Sequence, residues 1–470
     1  MLFANGCDGF FVIPQQQNDA SKAKQKIVVL APEHEIIFSL RSGFKNELTL
    51  TGIDFDLVQG FADFAGYELT IVPFTTREKA LAAFETGFGD LLIGRWPAQR
   101  NVPGTVNGPI FESSKLALYC PKKMKISHAN DLANVTIYTR SIDKVAFQHL
   151  TSPLYPKFLI HELTGADSTI LPATLGPKVG CAMIEERLGD FEKKFYPQLE
   201  KVYTFAFDID LVWKIREGKS ELFSALRRWF QLASRRDMVV PVIYRYSSTL
   251  DALADNDFVT FQKNTQERLQ NYLELFRSAG RQNKIPWTLL AAVGYQESHL
   301  DNEAISFTGV QGIMQITQAT ASFLGMTDRN NPQEAIPAAG KYLGWIYSQW
   351  PTKVPYIDRV KLTLASYNMG YQHVRDVQDW LIKQKRNPYA WKDLKYGFST
   401  KANPEFSSEF AWGSARGHET IHFVERVLAF ENLFKRKYAP SPIQDYLKKQ
   451  KKNNKTKDVK RQDSSSTQKG

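Results

Sequence analysis

The chain has 470 residues, with 60 Lys and Arg against 49 Asp and Glu, giving a formal net charge of +11. That length allows two or three domains, each able to bury a core, and 43% hydrophobic with 23% charged residues excludes a wholly disordered chain. No apolar run approaches the roughly 20 residues that span a bilayer, and the basic excess, part of it after Lys448, points to polyanionic surroundings: nucleic acid, anionic lipid or an acidic wall polymer.

In chain order, residues 1–25 read as an N-terminal tether or the remnant of an export signal. Met1 to Cys7 has no basic start and is too short for a signal peptide, and Pro14 to Gln25 is polar. Ala4-Asn5-Gly6-Cys7 faintly resembles the end of a lipoprotein signal, which would make Cys7 an acylated residue and a membrane anchor. The other cysteines, Cys120 and Cys181, lie in apolar strand-like runs. Three cysteines are too few for a disulfide framework, so this pair reads as plain core residues rather than a bridge.

Ile27 to Leu30 is a short apolar strand; Gly52 to Val58 leads into a helix ending near Gly66, followed by a strand at Leu69 to Val72, a helix at Glu78 to Phe84 and a buried strand at Asp90 to Gly94. This alternation predicts an open α/β sheet with mostly parallel strands, whose ligands sit beyond the strands' carboxyl ends. Ser247 to Asp257 is polar and acidic, the mark of a connection. Phe261 to Ser278 follows as an amphipathic helix, and helices broken by prolines dominate from Trp287 onward. The divisions predicted are an α/β domain at 26–247, a linker at 248–262, an α-rich domain at 263–440 and a basic disordered tail at 441–470.

The chemistry concentrates in Tyr295-Gln296-Glu297-Ser298-His299 and the glycine-punctuated run Gly309 to Ile316. Leu290, Val293, Gly294 and Glu297 share one helical face, so Glu297 ends a mostly apolar helix. A carboxyl at the tip of a buried face is costly to ionise; its pKa rises, and it holds its proton near neutral pH as a general acid must. The competing reading is a surface glutamate closing an amphipathic helix.

Glu297-Ser298, Ser306-x-x-Gly309, Gly312-Ile313-Met314-Gln315-Ile316 and Ala365-Ser366-Tyr367-Asn368-Met369-Gly370 resemble, in order and spacing, the successive motifs of family 23 lytic transglycosylases. The resemblance implies a lysozyme-like domain acting on peptidoglycan glycan strands, with Glu297 catalytic. Ser298, Ser306 and Gln315 would hold the acetamido and hydroxyl groups, Met314 would line the groove, and Tyr367 and Asn368 would lie close to Glu297. Asp301, the next acid along, reads as solvent-facing. Such an enzyme is exported, periplasmic and associated with the outer membrane, peripherally or by a lipid, and needs neither cofactor nor nucleic acid.

The first half resembles family 3 periplasmic solute-binding proteins, through Gly52-x-x-x-Asp56-Leu57, Gly87-x-Gly89-Asp90 and Gly94-Arg95-Trp96-Pro97-Ala98-Gln99-Arg100, with a second lobe beginning near Leu132 to Val135. This implies a two-lobed α/β regulatory domain with Asp56, Arg95, Arg100 and Glu185 as ligand candidates. Arg100 would grip a carboxylate. Glu185 would replace the usual aspartate that holds an ammonium, its alternative being a solvated pair with Glu186. The ligand expected is a muropeptide or stem peptide, or else small-molecule binding has been lost.

A rival signature is His418-Glu419-Thr420-Ile421-His422, the H-E-x-x-H of zinc peptidases. No third histidine follows, and Glu425 and Glu431 fall on the same helix as the pair. Glu419-Thr420-x-x-Phe423-Val424 also resembles the fourth transglycosylase motif, with Phe423 in place of its tyrosine. The expectation is therefore no metal. His34, His128, His149, His161, His299 and His373 show no ligand spacing. Trp345, Trp350, Trp380, Trp391 and Trp412 are the right type to stack on sugar rings, with core packing as the default for most.

Overall fold

The computed structural model describes residues 25–124, 126, 129–132, 135–150, 158–235, 239–247, 252–439 and 443. Cys7, the tether before Gln25, His128, Ala133, Asn134 and the tail from Lys448 lie outside them. The chain divides into two units: residues 1–40, 52–239 and 440–470 in one, and 41–51 with 240–439 in the other.

The first unit is built on two sheets. The strands of the whole chain are β1 (Gln25–Pro32), β2 (Ser39–Ser42), β3 (Leu48–Thr51), β4 (Tyr67–Phe74), β5 (Leu91–Pro97), β6 (Thr105–Asn107), β7 (Glu112–Ser114), β8 (Leu116–Pro121), β9 (Thr136–Thr139), β10 (Leu159–Glu162), β11 (Gly180–Glu185), β12 (Leu199–Thr204) and β13 (Ile209–Arg216); β3 belongs to the second unit and the division falls within β2. The helices are α1 (Ile53–Ala65), α2 (Arg77–Glu85), α3 (Ser141–Leu150), α4 (Ile170–Ala173), α5 (Glu186–Lys193) and α6 (Ser220–Arg235). One sheet runs β4-β1-β5-β13-β6 with β7 beside β13, the other β10-β9-β11-β8-β12. The chain thus leaves the first sheet after β7, builds the second and returns through β13, which gives two lobes.

Expected to be mostly parallel, both sheets are mixed. β1 pairs parallel with β4 and β5, and β9 with β10 and β11, but β13 and β8 run antiparallel to their neighbours. The crossover helices force the parallel pairs, while β8 and β13 are entered from other connections.

The cysteine reading is corrected. Cys120 and Cys181 are bonded to each other, with Cα atoms 4.4 Å apart. β8 and β11 are antiparallel with Tyr119 opposite Ala182, so the same register sets Cys120 opposite Cys181. Both are fully buried in the second sheet's core, with Leu118, Ile137 and Met183. Sixty-one residues separate them in sequence, and only strand pairing brings them together.

The second unit is helical: α7 (Val239–Ser247), α8 (Asp255–Asn283), α9 (Trp287–Ser298), α10 (Gln318–Leu324), α11 (Pro332–Ser348), α12 (Tyr356–Met369), α13 (Tyr371–Lys383), α14 (Trp391–Ala402) and α15 (Gly417–Tyr438). The later half of the segment read as a linker, from Asp255, is already the first turns of α8. Among the described residues no helix is long and apolar enough to cross a membrane. At the centre lies α9, apolar on almost every side and buried from Thr288 through Tyr295. Phe261 of α8 and Phe430 of α15 close on Tyr295 at 5.0 and 4.5 Å between ring centroids. Arg426 of α15 then grips Asp257 at 2.9 and 3.0 Å and the Gln296 side chain at 2.9 Å, beside the catalytic candidate.

Candidate active site

Glu297 is half-buried in the last turn of α9, which stops at His299 and Leu300. Both carry left-handed backbone, φ 54° and 59°, uncommon for residues with a Cβ, and Gln315 across the site has φ 47°. Three such residues around one carboxylate mark a backbone held by its surroundings. Ser298 supplies one restraint: its buried hydroxyl lies 3.0 Å from the Gly294 carbonyl and 2.9 Å from that of Ile313. This ties the helix end to the Gly312–Gln315 turn. That turn needs Gly312, whose φ is 103° and whose absent Cβ would sit 3.2 Å from the Arg329 carbonyl. The Gln315 side-chain amide donates to the carbonyls of Ala304 and Gly312 at 3.0 and 2.8 Å, while its Oε1 is buried without a partner.

The later helices bring the remaining residues. The Tyr367 hydroxyl of α12 donates to the Met314 carbonyl at 3.2 Å. Asn368 accepts through Oδ1 from the Thr420 hydroxyl of α15 at 2.8 Å. Phe423, one turn on, lies flat against Tyr367 with centroids 6.4 Å apart. A tyrosine there would bring a hydroxyl; this chain has only the ring.

Burial pushes the Glu297 carboxyl up to about 8, and the charge of Glu419 adds to the rise. Among the described residues Glu297 has no hydrogen-bond or ion-pair partner that would pull it back. Burial likewise pushes the Tyr367 phenol well above its usual range, with Glu297's charge contributing, so this hydroxyl stays neutral and can donate. Glu419 itself is exposed and paired with Arg416 at 3.3 Å. Asp301 pairs with Arg268 at 3.2 Å and remains 39% exposed, turned to an arginine rather than to Glu297.

The structure gives Ser298 and Ser306 structural contacts. The Ser306 hydroxyl accepts the Val310 N–H at 2.9 Å, closing the loop before Gly312. In the rival zinc signature, His418 and His422 are exposed on α15. The nearby acids are already engaged, Glu425 by Lys395 at 3.0 Å and Glu431 by Lys435 at 2.6 Å. Sequence reasoning missed the electrostatic part of Glu419 and the Thr420 contact with Asn368, because α15 is remote in sequence from both partners. Of the tryptophans, Trp350, Trp380 and Trp391 are core residues, while Trp345 and Trp412 are exposed.

In the first unit, Arg95 and Glu185 meet. Arg95 Nη2 and Nε reach the two Glu185 oxygens at 2.9 and 3.3 Å, and Nη1 reaches Glu112 at 2.5 Å. Glu185 is buried, so the reading of a solvated pair with Glu186 does not hold. Burial alone would raise it, but the Arg95 guanidinium and the Ser114 hydroxyl hold it at about 2. Arg100 lies elsewhere, 3.5 Å from the Ser141 hydroxyl, with its Nε buried and unpartnered. Asp56 is half-buried in α1, whereas its neighbour Asp54 is fully buried, accepting from the Gly94 N–H at 2.7 Å and the Trp213 indole at 3.0 Å. Burial pushes Asp54 up to about 6, against the pull of Arg95. His34 and Glu192 lie 3.5 Å apart and buried, with Glu35 close by, a grouping no sequence spacing announces.

The helical unit, with one desolvated acid beside a glycine turn, is a transglycosylase domain: the family model described as Transglycosylase SLT domain matches residues 274–389. Over most of its length the chain is homologous to proteins named membrane-bound lytic murein transglycosylase F. It is 26% identical to that of Aeromonas hydrophila subsp. hydrophila, covering 91% of this chain and 85% of the relative. Against that of Desulfosudis oleivorans it is 25% identical, covering 93% and 97%. Among solved structures, it is similar to the amino acid ABC transporter substrate-binding protein AbpA of Streptococcus pneumoniae bound to L-arginine. The TM-score is 0.40 and the identity 17%, covering 47% of this chain and 93% of that one.

Proposed function

We infer that this chain cuts murein glycan strands between N-acetylmuramic acid and N-acetylglucosamine without consuming water, and that Glu297 is its acid–base residue. The observation that carries this is the Glu297 carboxyl, unpaired and raised to about 8 by burial. It is protonated at neutral pH, and no described contact holds another acid against it as a nucleophile's partner. Glycosidases that use water or an enzyme nucleophile pair two carboxylates; one is sufficient where the substrate supplies the nucleophile. Glu297 gives its proton to the glycosidic oxygen as the C1–O bond breaks, and the muramic N-acetyl group supports the positive charge at C1. The ionised Glu297 then takes the proton of the C6 hydroxyl as that oxygen bonds to C1. The product is a 1,6-anhydro sugar and Glu297 is protonated again. Help of this kind is typically worth about 10²–10⁴ in rate.

Tyr367 and Asn368 are the groups best placed to orient the sugar near Glu297, with Met314 and Gln315 on the facing turn. The relatives' names and a disulfide in the first unit both fit an oxidising compartment outside the cytoplasm. They support our reading of a periplasmic, membrane-associated protein, and we propose that it is held at the outer membrane, peripherally or by a lipid. The first unit is its regulatory half, and a peptide fragment of the wall is the ligand class in view. The deciding experiment is mass spectrometry of purified murein digested by the full chain, beside Glu297→Gln. Products lighter by one water per cut, absent with the variant, are expected; reducing ends would replace this reading with a hydrolase.

A further inference from the structure

A cavity of about 560 Å³ opens in the first unit between the end of α1, the start of β4 and the first half of α6. That volume is within the range of small-ligand pockets. α1 stops at Gly66, whose left-handed φ of 75° turns the chain directly into Tyr67. Tyr67 forms one wall. It is 9% exposed and rests on the Phe61 ring at 5.5 Å, and its hydroxyl has no hydrogen-bond partner among the described residues. Glu221, Ser224 and Arg228 line the cavity from α6, at spacings of three and four that put them on one helix face. Neither Glu221 nor Arg228 has a hydrogen-bond or ion-pair partner among the described residues. Both charges nevertheless act on the Tyr67 hydroxyl: burial raises this phenol above its usual range, Glu221 adds to the rise, and Arg228 and Lys219 oppose it. β4 runs parallel to β1, so the cavity lies at the amino ends of these strands. Ligand clefts of α/β sheets form beyond the carboxyl ends, and none of Asp56, Arg95, Arg100 and Glu185 lines this cavity.

We propose that this cavity binds a short peptide with both ends free, its ammonium at Glu221 and its carboxylate at Arg228. Seven residues of helix set the two anchors roughly 10 Å apart along α6. The charges of a single amino acid are only about 2.5 Å apart, too close to meet both, whereas an extended tripeptide separates them by roughly 9 Å. The Arg228 guanidinium offers a carboxylate two parallel N–H groups. Between the ends, the hydroxyls of Ser224 and Tyr67 are the right type to bond peptide groups. Phe64, which also lines the cavity and is 50% exposed, offers its ring to an apolar side chain. A dianion or a dication would meet one like charge, and an uncharged sugar would leave both anchors unmet. The order of the two charges also fixes the direction in which the peptide runs. The site stands whatever reaction Glu297 carries out.

The test is calorimetry on the full chain with trialanine, in the all-L form and with D-alanine at the last two positions. At least one form should bind, while free alanine gives no heat. Acetylating the amino end or amidating the carboxyl end should each weaken binding by about three- to tenfold. Glu221→Gln should cost the same factor as acetylation, and Arg228→Gln the same factor as amidation. Each pair of changes should coincide: the acetylated peptide should bind Glu221→Gln no more weakly than it binds the parent. Both side chains are exposed, so the variants should melt with the parent. No heat with either peptide would overturn the site. So would binding that survives the double substitution at an unchanged melting temperature, which would send the peptide elsewhere on the chain. Losses from acetylation and from Glu221→Gln that multiply would overturn the assignment of the ammonium. Tighter binding of the D form would name wall peptides as the source, and tighter binding of the all-L form protein fragments; either keeps the site.

Discussion

Arg95 and Glu185 form a two-pronged buried ion pair, Nη2 to Oε1 at 2.9 Å and Nε to Oε2 at 3.3 Å, between β5 and the end of β11. The carboxylate that a ligand's ammonium would need is thus already met by a cation of the same chain. Free amino acids should show no heat of binding to the full chain in calorimetry, and tight binding of any of them would sink this view. Arg95→Ala leaves Glu185 buried and uncompensated, at a cost of about 3–5 kcal/mol. Glu185 is held at about 2, so its stabilising ionisation is present above the unfolded-state pKa and lost as pH falls toward 2. The gap between parent and variant in chemical denaturation should be widest at neutral pH and narrow in acid.

The role proposed for Glu297 predicts the pH dependence of cutting. As the proposed acid it would have to carry a proton to act, and its pKa of about 8 would set the alkaline limb of kcat there, well above an ordinary carboxylic acid. Glu419 contributes to that rise, so Glu419→Gln should move the alkaline limb to lower pH while leaving the neutral rate nearly intact. A limb near pH 5 in the parent would remove Glu297 from the acid's role.

The same raised pKa costs stability. A group whose folded pKa lies above its unfolded value stabilises fully below the unfolded pKa, and that contribution is lost as pH rises through the folded one. For Glu297 the window runs from the ordinary glutamate range to about 8. Glu297→Gln should therefore melt a few degrees higher than the parent at pH 8, with the difference shrinking toward pH 4. An equal or lower melting temperature at pH 8 would mean that the carboxyl is not strained by burial.

Much of the helical half was legible because its chemistry is local. Glu297, the Gly312 turn and the Tyr367-Asn368 helix end each lie in a short stretch whose spacing fixes what sits beside what. The apolar run of α9 announced a buried helix directly. What stayed hidden depends on pairing across long separations. Cys120 and Cys181 look like core residues because they are core residues, and only the β8–β11 register shows that they face each other. Arg95 pairs with Glu185 ninety residues later, and nothing near Glu185 in sequence separates a buried acid from a solvated one. Asp54 was passed over for Asp56, two positions on, because both fit the start of α1 and only packing against Trp213 distinguishes them.

The disulfide gives a prediction of its own. It closes a segment of 61 residues in the unfolded chain, for which about 2–4 kcal/mol of stabilisation is typical. Both cysteines are fully buried, so a mild reductant should leave the native protein untouched and act only once the first unit opens. Cys120→Ala with Cys181→Ala should lower that unit's melting temperature by several degrees, and a free-thiol count of two for this pair in the native parent would contradict the bond.

The last prediction concerns Thr420, which holds the Asn368 side-chain oxygen at 2.8 Å while also lying 3.2 Å from the Arg416 carbonyl. Fixing the oxygen toward Thr420 fixes the amide nitrogen as a donor, and Asn368 adjoins Tyr367 in sequence. Thr420→Val keeps the shape and removes the hydroxyl. The lost bond should cost about 1 kcal/mol of stability, while turnover of soluble strands should fall by about tenfold or more because the amide is no longer oriented. Thr420→Ser, which restores the hydroxyl on a smaller side chain, should recover most of the activity. If valine and serine variants turn over strands at the parent's rate, Asn368 takes no part in holding the substrate, and Thr420 is only a packing residue of α15.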